Sequence, residues 1–327
     1  MADINNQATK FAAQQVGVAQ RSTAAISVTI PVVVHVLYST AAENISDAQI
    51  ASQIAVLSED YHKLNADAGS VPAPFAGLSA DTGIQFVLAK RNPSGLAKTG
   101  IERKSSITTS WGTADNIKST ATGGLNAWDV SKYLNLWVGT IGSGILGYAQ
   151  FPGRAAATDG AVISPVYFGR TDTVISPYNL GRTASHEVGH WLNLNHIWND
   201  DNGACTGTDN IADTPNQGAE NYGKPVFPHV SCSNGPNGDM FMNYMDYVDD
   251  NAMFIFSTGQ SPRMNALFAA GGARVGLLTS QGGVAPGGTT PPPTTAYRTS
   301  QGTSQAYEYI KLVHLGSINR ALGADGG

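Results

Sequence analysis

The chain has 327 residues, enough for one large domain or two small ones. Charged residues make up 13%, about half the usual share, against 42% hydrophobic residues and 37 glycines, a composition suited to a loop-rich protein of the secreted kind. A formal net charge of −5 leaves no electrostatic footprint for nucleic acid, and no run approaches the roughly 18 consecutive apolar residues of a membrane span.

Residues 1–28 are polar and alanine-rich with little pattern, and are expected to form a loose N-terminal arm or the remnant of a propeptide. The start, Met1-Ala2-Asp3-Ile4, lacks the basic and apolar regions of a signal peptide, so a secreted protein would have its leader outside this chain. Ile30 to Tyr38 is a near-continuous β-branched run, as a buried central strand should be. Ser46-Asp47 reads as a helix start. Ile50, Ile54, Leu57 and Tyr61 follow at helical spacing, which predicts an amphipathic helix to about Asn65. Further strands are predicted at Gly83 to Ala89, Leu134 to Ile141, Gly147 to Phe151 and Ala161 to Ser164, a helix at 179–193, and another from Ser261 to Ala269. Strands and helices thus share the first half, and loops dominate the second. The order implies an α+β fold, with a sheet subdomain above a less regular C-terminal one and a cleft between them. A catalytic domain is expected over 29–281, a Gly/Thr/Pro linker over 282–297, and a short tail over 298–327 with a weak helix from Ala306 to Leu322.

The chemistry concentrates at 186–196. His186-Glu187-Val188-Gly189-His190 is H-E-x-x-H, and a third histidine, His196, follows six residues later. A catalytic zinc takes three protein ligands and keeps a fourth position open. His186 and His190 lie one turn apart on one helix face. Glu187 points away, near enough to reach a water at the metal without ligating it. His196 can join them only if the helix ends after about Leu192 and the chain reverses. Asn193 stands at the turn, where zinc-protease patterns carry glycine, and asparagine is the next-best residue for the left-handed conformation. Downstream, Met242-Asn243-Tyr244-Met245-Asp246-Tyr247 reads as a turn in which a methionine taken alone would be a core filler.

These pieces resemble the metzincin metallopeptidases of the pappalysin family, in their compact bacterial form. HEVGHWLNLNHIW at 186–198, Asp213-Thr214-Pro215-Asn216-Gln217, the segment 242–264, Ile30 to Val36 and Gly147 to Pro152 carry the likeness, over roughly residues 30–275. The resemblance implies a zinc endopeptidase acting on proteins or peptides, with zinc on His186, His190 and His196, Glu187 as general base and Tyr247 as a donor to the developing oxyanion; the alternative for Tyr247 is packing. It also implies that Met245 is an apolar floor beneath the imidazoles, and a twisted mixed sheet above the cleft, with Gly147, Tyr148, Ala149 and Gln150 as a rim along which substrate adds as an extended strand. The bland alternative is an ordinary edge strand.

Asp246, Asp249 and Asp250 follow the Met-turn, where an acidic pocket would select Lys or Arg just after the scissile bond, unless they are capping or solvated groups. Asp200, Asp201, Asp209 and Asp213 crowd one loop. Hard oxygen ligands there suit calcium, with Asp209 and Asp213 the candidates and solvated loop acids the alternative. Cys205 and Cys232 bracket the same irregular loop. A bridge would contribute about 3 kcal/mol by restricting the unfolded chain; free thiols are the alternative, and three histidines already fill the metal's protein positions. His35 is expected in the core, His62 on a helix edge, and His229 and His314 at the surface. A monomer is expected.

Overall fold

Val28–Tyr38 (β1) is an apolar strand buried on both faces, and the sheet is assembled around it. The computed structural model describes residues 2–16 and 27–287. In chain order the regular elements are α1 (Ala2–Val16), β1, α2 (Asp47–Tyr61), α3 (Ala73–Ala76), β2 (Ile84–Leu88), β3 (Ile101–Ser105), β4 (Leu134–Val138), β5 (Gly147–Ala149), β6 (Ala161–Ile163), α4 (Arg182–Trp191) and α5 (Gln260–Asn265). The sheet runs β2-β1-β4-β6-β5, and β3 pairs with β1 beyond the end of β2. Every pairing is parallel except β5 with β6. The sheet is therefore mixed, and its one antiparallel strand lies at an edge.

Covering both faces explains the unbroken apolar run. Val32, Val34 and Val36 meet Ile50, Leu57 and Tyr61 of α2 and Val188 and Trp191 of α4 in the main core. Leu37, on the opposite face, packs with Trp111, Ile117 and Trp137 under the 106–133 loop. His35 lies on that face too and is fully buried. Its Nδ1 is 2.8 Å from Glu102 and its Nε2 2.9 Å from Asn135, and its ring stacks on Trp137. It is the satisfied core histidine expected.

Three differences from the sequence reading have physical reasons. The N-terminal segment is no loose arm over 2–16 but a helix. Ile4, Ala8 and Phe11 share one face at helical spacing, Ala8 is buried, and Asp3 sits favourably in the first turn. The helix packs on α5 and the turn after it, with Gln7 donating to the Gly271 carbonyl and Arg263 to Asn5. β3 escaped notice because its residues, IERKS, are polar and half exposed at an edge. α2 stops at Tyr61 rather than Asn65 because Lys63 turns left-handed, at φ 55°.

Past residue 192 the chain is mostly loop, as expected. The first residues of the anticipated linker are fastened to the body: Arg91 donates to the carbonyls of Val284 and Ala285, and Lys90 N–H to that of Gly282. The rest of the linker, the tail and its expected helix and His314 lie outside the described residues.

Candidate active site

α4 begins at Arg182 because Gly181 takes a left-handed φ of 81° and the Asp250 carboxylate accepts the Leu180 and Arg182 N–H groups. It ends as the sequence requires. Asn193 adopts φ 73°, and the N–H groups of Asn193 and Leu194 return to the carbonyls of His190 and Gly189. That reversal carries His196 back over the helix. The three Nε2 atoms lie 3.0 Å (His186 to His190), 3.0 Å (His190 to His196) and 3.3 Å (His186 to His196) apart.

These contacts are not hydrogen bonds. His186 Nδ1 lies 2.7 Å from the Tyr244 carbonyl and His190 Nδ1 2.8 Å from that of Leu194. A carbonyl only accepts, so both Nδ1 atoms carry the proton and the Nε2 lone pairs face inward. His196 Nδ1 faces both Asp200 oxygens at 2.9 Å, which turns its Nε2 lone pair the same way. Burial, then mutual repulsion, holds His186 well below the usual imidazole range and His190 at about 3, and burial lowers His196. Three neutral nitrogens converging on one point are a donor set for a cation. Zn–N bonds of about 2.0–2.1 Å in a tetrahedron put ligand nitrogens about 3.4 Å apart, so the residues present fit zinc. Among the described residues, this trio is the only cluster of three or more His, Cys, Asp or Glu side chains that converge closely enough to hold a metal.

Glu187 is buried beside the trio, and burial pushes its carboxyl up to about 8, with the Lys118 ammonium opposing. A cation on the histidines would pull it back down. Gly147 of β5 passes over it: a Cβ there would sit 2.9 Å from Glu187 Cγ, so only glycine lets the edge strand come this close. Of the anticipated rim, Gly147, Tyr148 and Ala149 form that strand, whereas Gln150 is buried and donates to the Ala155 carbonyl inside its own loop.

Met245 is fully buried beneath α4, its sulfur against Gly189, where a Cβ would overlap it. The turn is fixed by a reciprocal amide pair that sequence reading missed: Asn243 Nδ2 donates to Gln260 Oε1 at 2.9 Å, Gln260 Nε2 returns to Asn243 Oδ1 at 3.0 Å, and Met245 N–H donates to the same oxygen. Tyr247 Oη is 3.1 Å from His196 Nε2, and burial raises its phenol above the usual range.

A cavity of about 290 Å³ opens beside Glu187 and His186, lined further by Tyr178, Tyr222, Asp246 and Asp250. Asp249 is not among its walls. Asp246 is fully buried, accepts from Gln217, Asn221 and the Tyr247 N–H, and is pushed by burial to about 6, as is Asp250.

Cys205 and Cys232 are bridged, with Cα atoms 5.3 Å apart. Asp209 accepts from Thr214 Oγ1 and Ile211 N–H; Asp213 accepts from Ser257, Thr258 and Gly259. The two carboxylates thus face separate sets of protein donors.

Residues 119–269 match the model of a peptidase family described as pregnancy-associated plasma protein-A. An extracellular metalloprotease of Pyricularia oryzae is 36% identical over 74% of this chain and 76% of its own length, and extracellular metalloprotease 1 of Coccidioides posadasii is 33% identical over 72% and 74%. Among solved structures, mature mirolysin of Tannerella forsythia in complex with a cleaved peptide is 50% identical, with a TM-score of 0.76 over 78% of this chain and 96% of that one. A mutant of its precursor, promirolysin, is 47% identical, with a TM-score of 0.77 over 84% and 91%.

The contact of Met245 with Gly189 generates a test. Gly189→Ala should cost about 1–3 kcal/mol in urea unfolding, and adding Met245→Ala should recover part of the loss in a double-mutant cycle. Strictly additive losses would mean that the close approach does not limit the packing.

Proposed function

The chain belongs to the pappalysin family of metzincin metallopeptidases and is a metallo-endopeptidase; from that premise we propose that His186, His190 and His196 hold zinc and that Glu187 is the general base for peptide-bond hydrolysis. The observation that carries this reading is the set of three inward lone pairs with each Nδ1 committed to an outside acceptor. Zinc bound there would supply Lewis acidity, lowering the pKa of water and polarising a carbonyl.

The chain's own residues do the rest. The Glu187 carboxylate takes the proton of the attacking water and returns it to the leaving amine nitrogen. The same carboxyl keeps that proton between the two transfers. Tyr247 Oη, on the cleft side of His196, donates to the oxygen that becomes negative. The open edge of β5 offers backbone donors and acceptors to an extended peptide, and Gly147 brings that peptide past Glu187.

The lining of the cavity supports a reading of specificity. Asp246 and Asp250 are among its walls with Tyr178 and Tyr222, and the one cation among its described walls, Arg182, is paired with Asp67; carboxylates and aromatic faces suit the head and stem of Lys or Arg. We therefore assign a preference for Lys or Arg after the scissile bond. The relatives' description as extracellular supports secretion, and no helix among the described residues is long and apolar enough to cross a membrane.

Glu187→Ala should retain zinc by elemental analysis yet lose casein hydrolysis by several orders of magnitude; near-normal turnover would remove the mechanism. Tyr247→Phe should lower kcat about a hundredfold while KM moves little, and an unchanged kcat would return Tyr247 to packing. Cleavage sites mapped across a whole-proteome digest should be enriched in Lys and Arg on the primed side. A set without that enrichment would refute the assigned specificity.

A further inference from the structure

The three ligand rings are not held alike. His186 and His190 stand on α4, and each gives its Nδ1 proton to a backbone carbonyl. His196 stands on no helix. What fixes its ring is a short loop of its own making. Asn199 N–H closes a turn onto the His196 carbonyl, and Asn199 and Asp200 both take left-handed φ, 56° and 50°, to swing residue 200 beneath residue 196. Two consecutive non-glycine residues in that region are costly and persist only where the surroundings over-determine them. Trp198 stacks on the imidazole at 4.2 Å and 8°. The Asp200 carboxylate, 64% exposed, brings both oxygens to His196 Nδ1. Asp201 then anchors the loop by accepting the N–H groups of Gly203, Ala204, Thr206 and Gly207.

We propose that Asp200 is the positioning residue for the third metal ligand, setting the tautomer and orientation of His196 and raising the donor strength of its Nε2. The assignment rests on the metal reading above. A carboxylate is a stronger acceptor than the carbonyls behind the other two rings. It acts on the ring that most needs fixing, because His196 alone lacks a helical backbone. Outer partners of this kind change metal affinity by about 10–100-fold. Ile197 and Trp198 in this turn enter the core, but the two left-handed residues do not: they deliver an exposed side chain to one ring nitrogen.

Competition with a chromogenic chelator on the full chain tests this. Asp200→Asn should weaken zinc binding about 10–100-fold, with the melting temperature of the metal-free protein unchanged because the side chain is largely exposed. Asp200→Glu should recover part of the affinity. Asp201→Asn, which loosens the loop while leaving the carboxylate on the ring, should weaken zinc binding less. An affinity for Asp200→Asn within about twofold of the parent, or an equal loss in Asp201→Asn, would overturn the assignment. Should the parent itself take up no zinc, the metal reading falls first; a parent that binds while Asp200→Asn matches it refutes the role of Asp200 alone.

Discussion

Three unshared electron pairs, each about 3 Å from the others, repel one another, and a cation is what relieves them. The surrounding protein can be understood as the apparatus that keeps this arrangement from relaxing. Any ring could turn away if its outer nitrogen were free. None is free, because Tyr244, Leu194 and Asp200 each hold one. Any ring could withdraw if the backbone beneath it shifted. That is resisted by Met245 against Gly189 on one side and Phe151 against His190 on the other.

The supports come from far along the chain and are polar as often as apolar. Tyr244, whose carbonyl holds His186, gives its hydroxyl to Asp60 of α2. Asp60 also accepts from Ser185 and lies near Arg182, which pairs with Asp67 and donates to the carbonyl of Asp250. One buried cluster therefore ties α2, the start of α4, the Met-turn and the wall of the cavity together. Removing one member would strand a charge in a place where water cannot reach it.

What could be read from the sequence was whatever sits at a fixed local spacing. The two histidines on one helix turn, the asparagine that ends the helix and the third histidine declare themselves between positions 186 and 196, and the Met-turn is a local pattern of its own at 242–247. The central strand was legible because burial on both faces leaves an uninterrupted apolar run. Other parts depend on pairing across the chain. Asn243 and Gln260 look like ordinary amides until they face each other, and β3 is polar because it lies at an edge. Asp200 reads as one acid among several in a Gly/Asn loop. Its orientation depends on two left-handed residues that no local pattern announces. α1 was missed for another reason: alanine and glutamine make a helix without an obvious stripe, and only Ile4, Ala8 and Phe11 mark its inner face.

The junction beneath Asn193 has a bearing on assembly during synthesis. Arg263 donates to the Asn193 carbonyl and to Asn5 of α1, uniting residues from the beginning, middle and end of the domain. Contacts so distant along a chain form late, since the loop they close carries the largest entropic penalty. A polypeptide emerging amino end first holds His186, His190 and His196 well before Tyr244, Met245 and Arg263 exist to brace them. The full set of braces around these three rings therefore exists only once the chain has been made as far as Arg263.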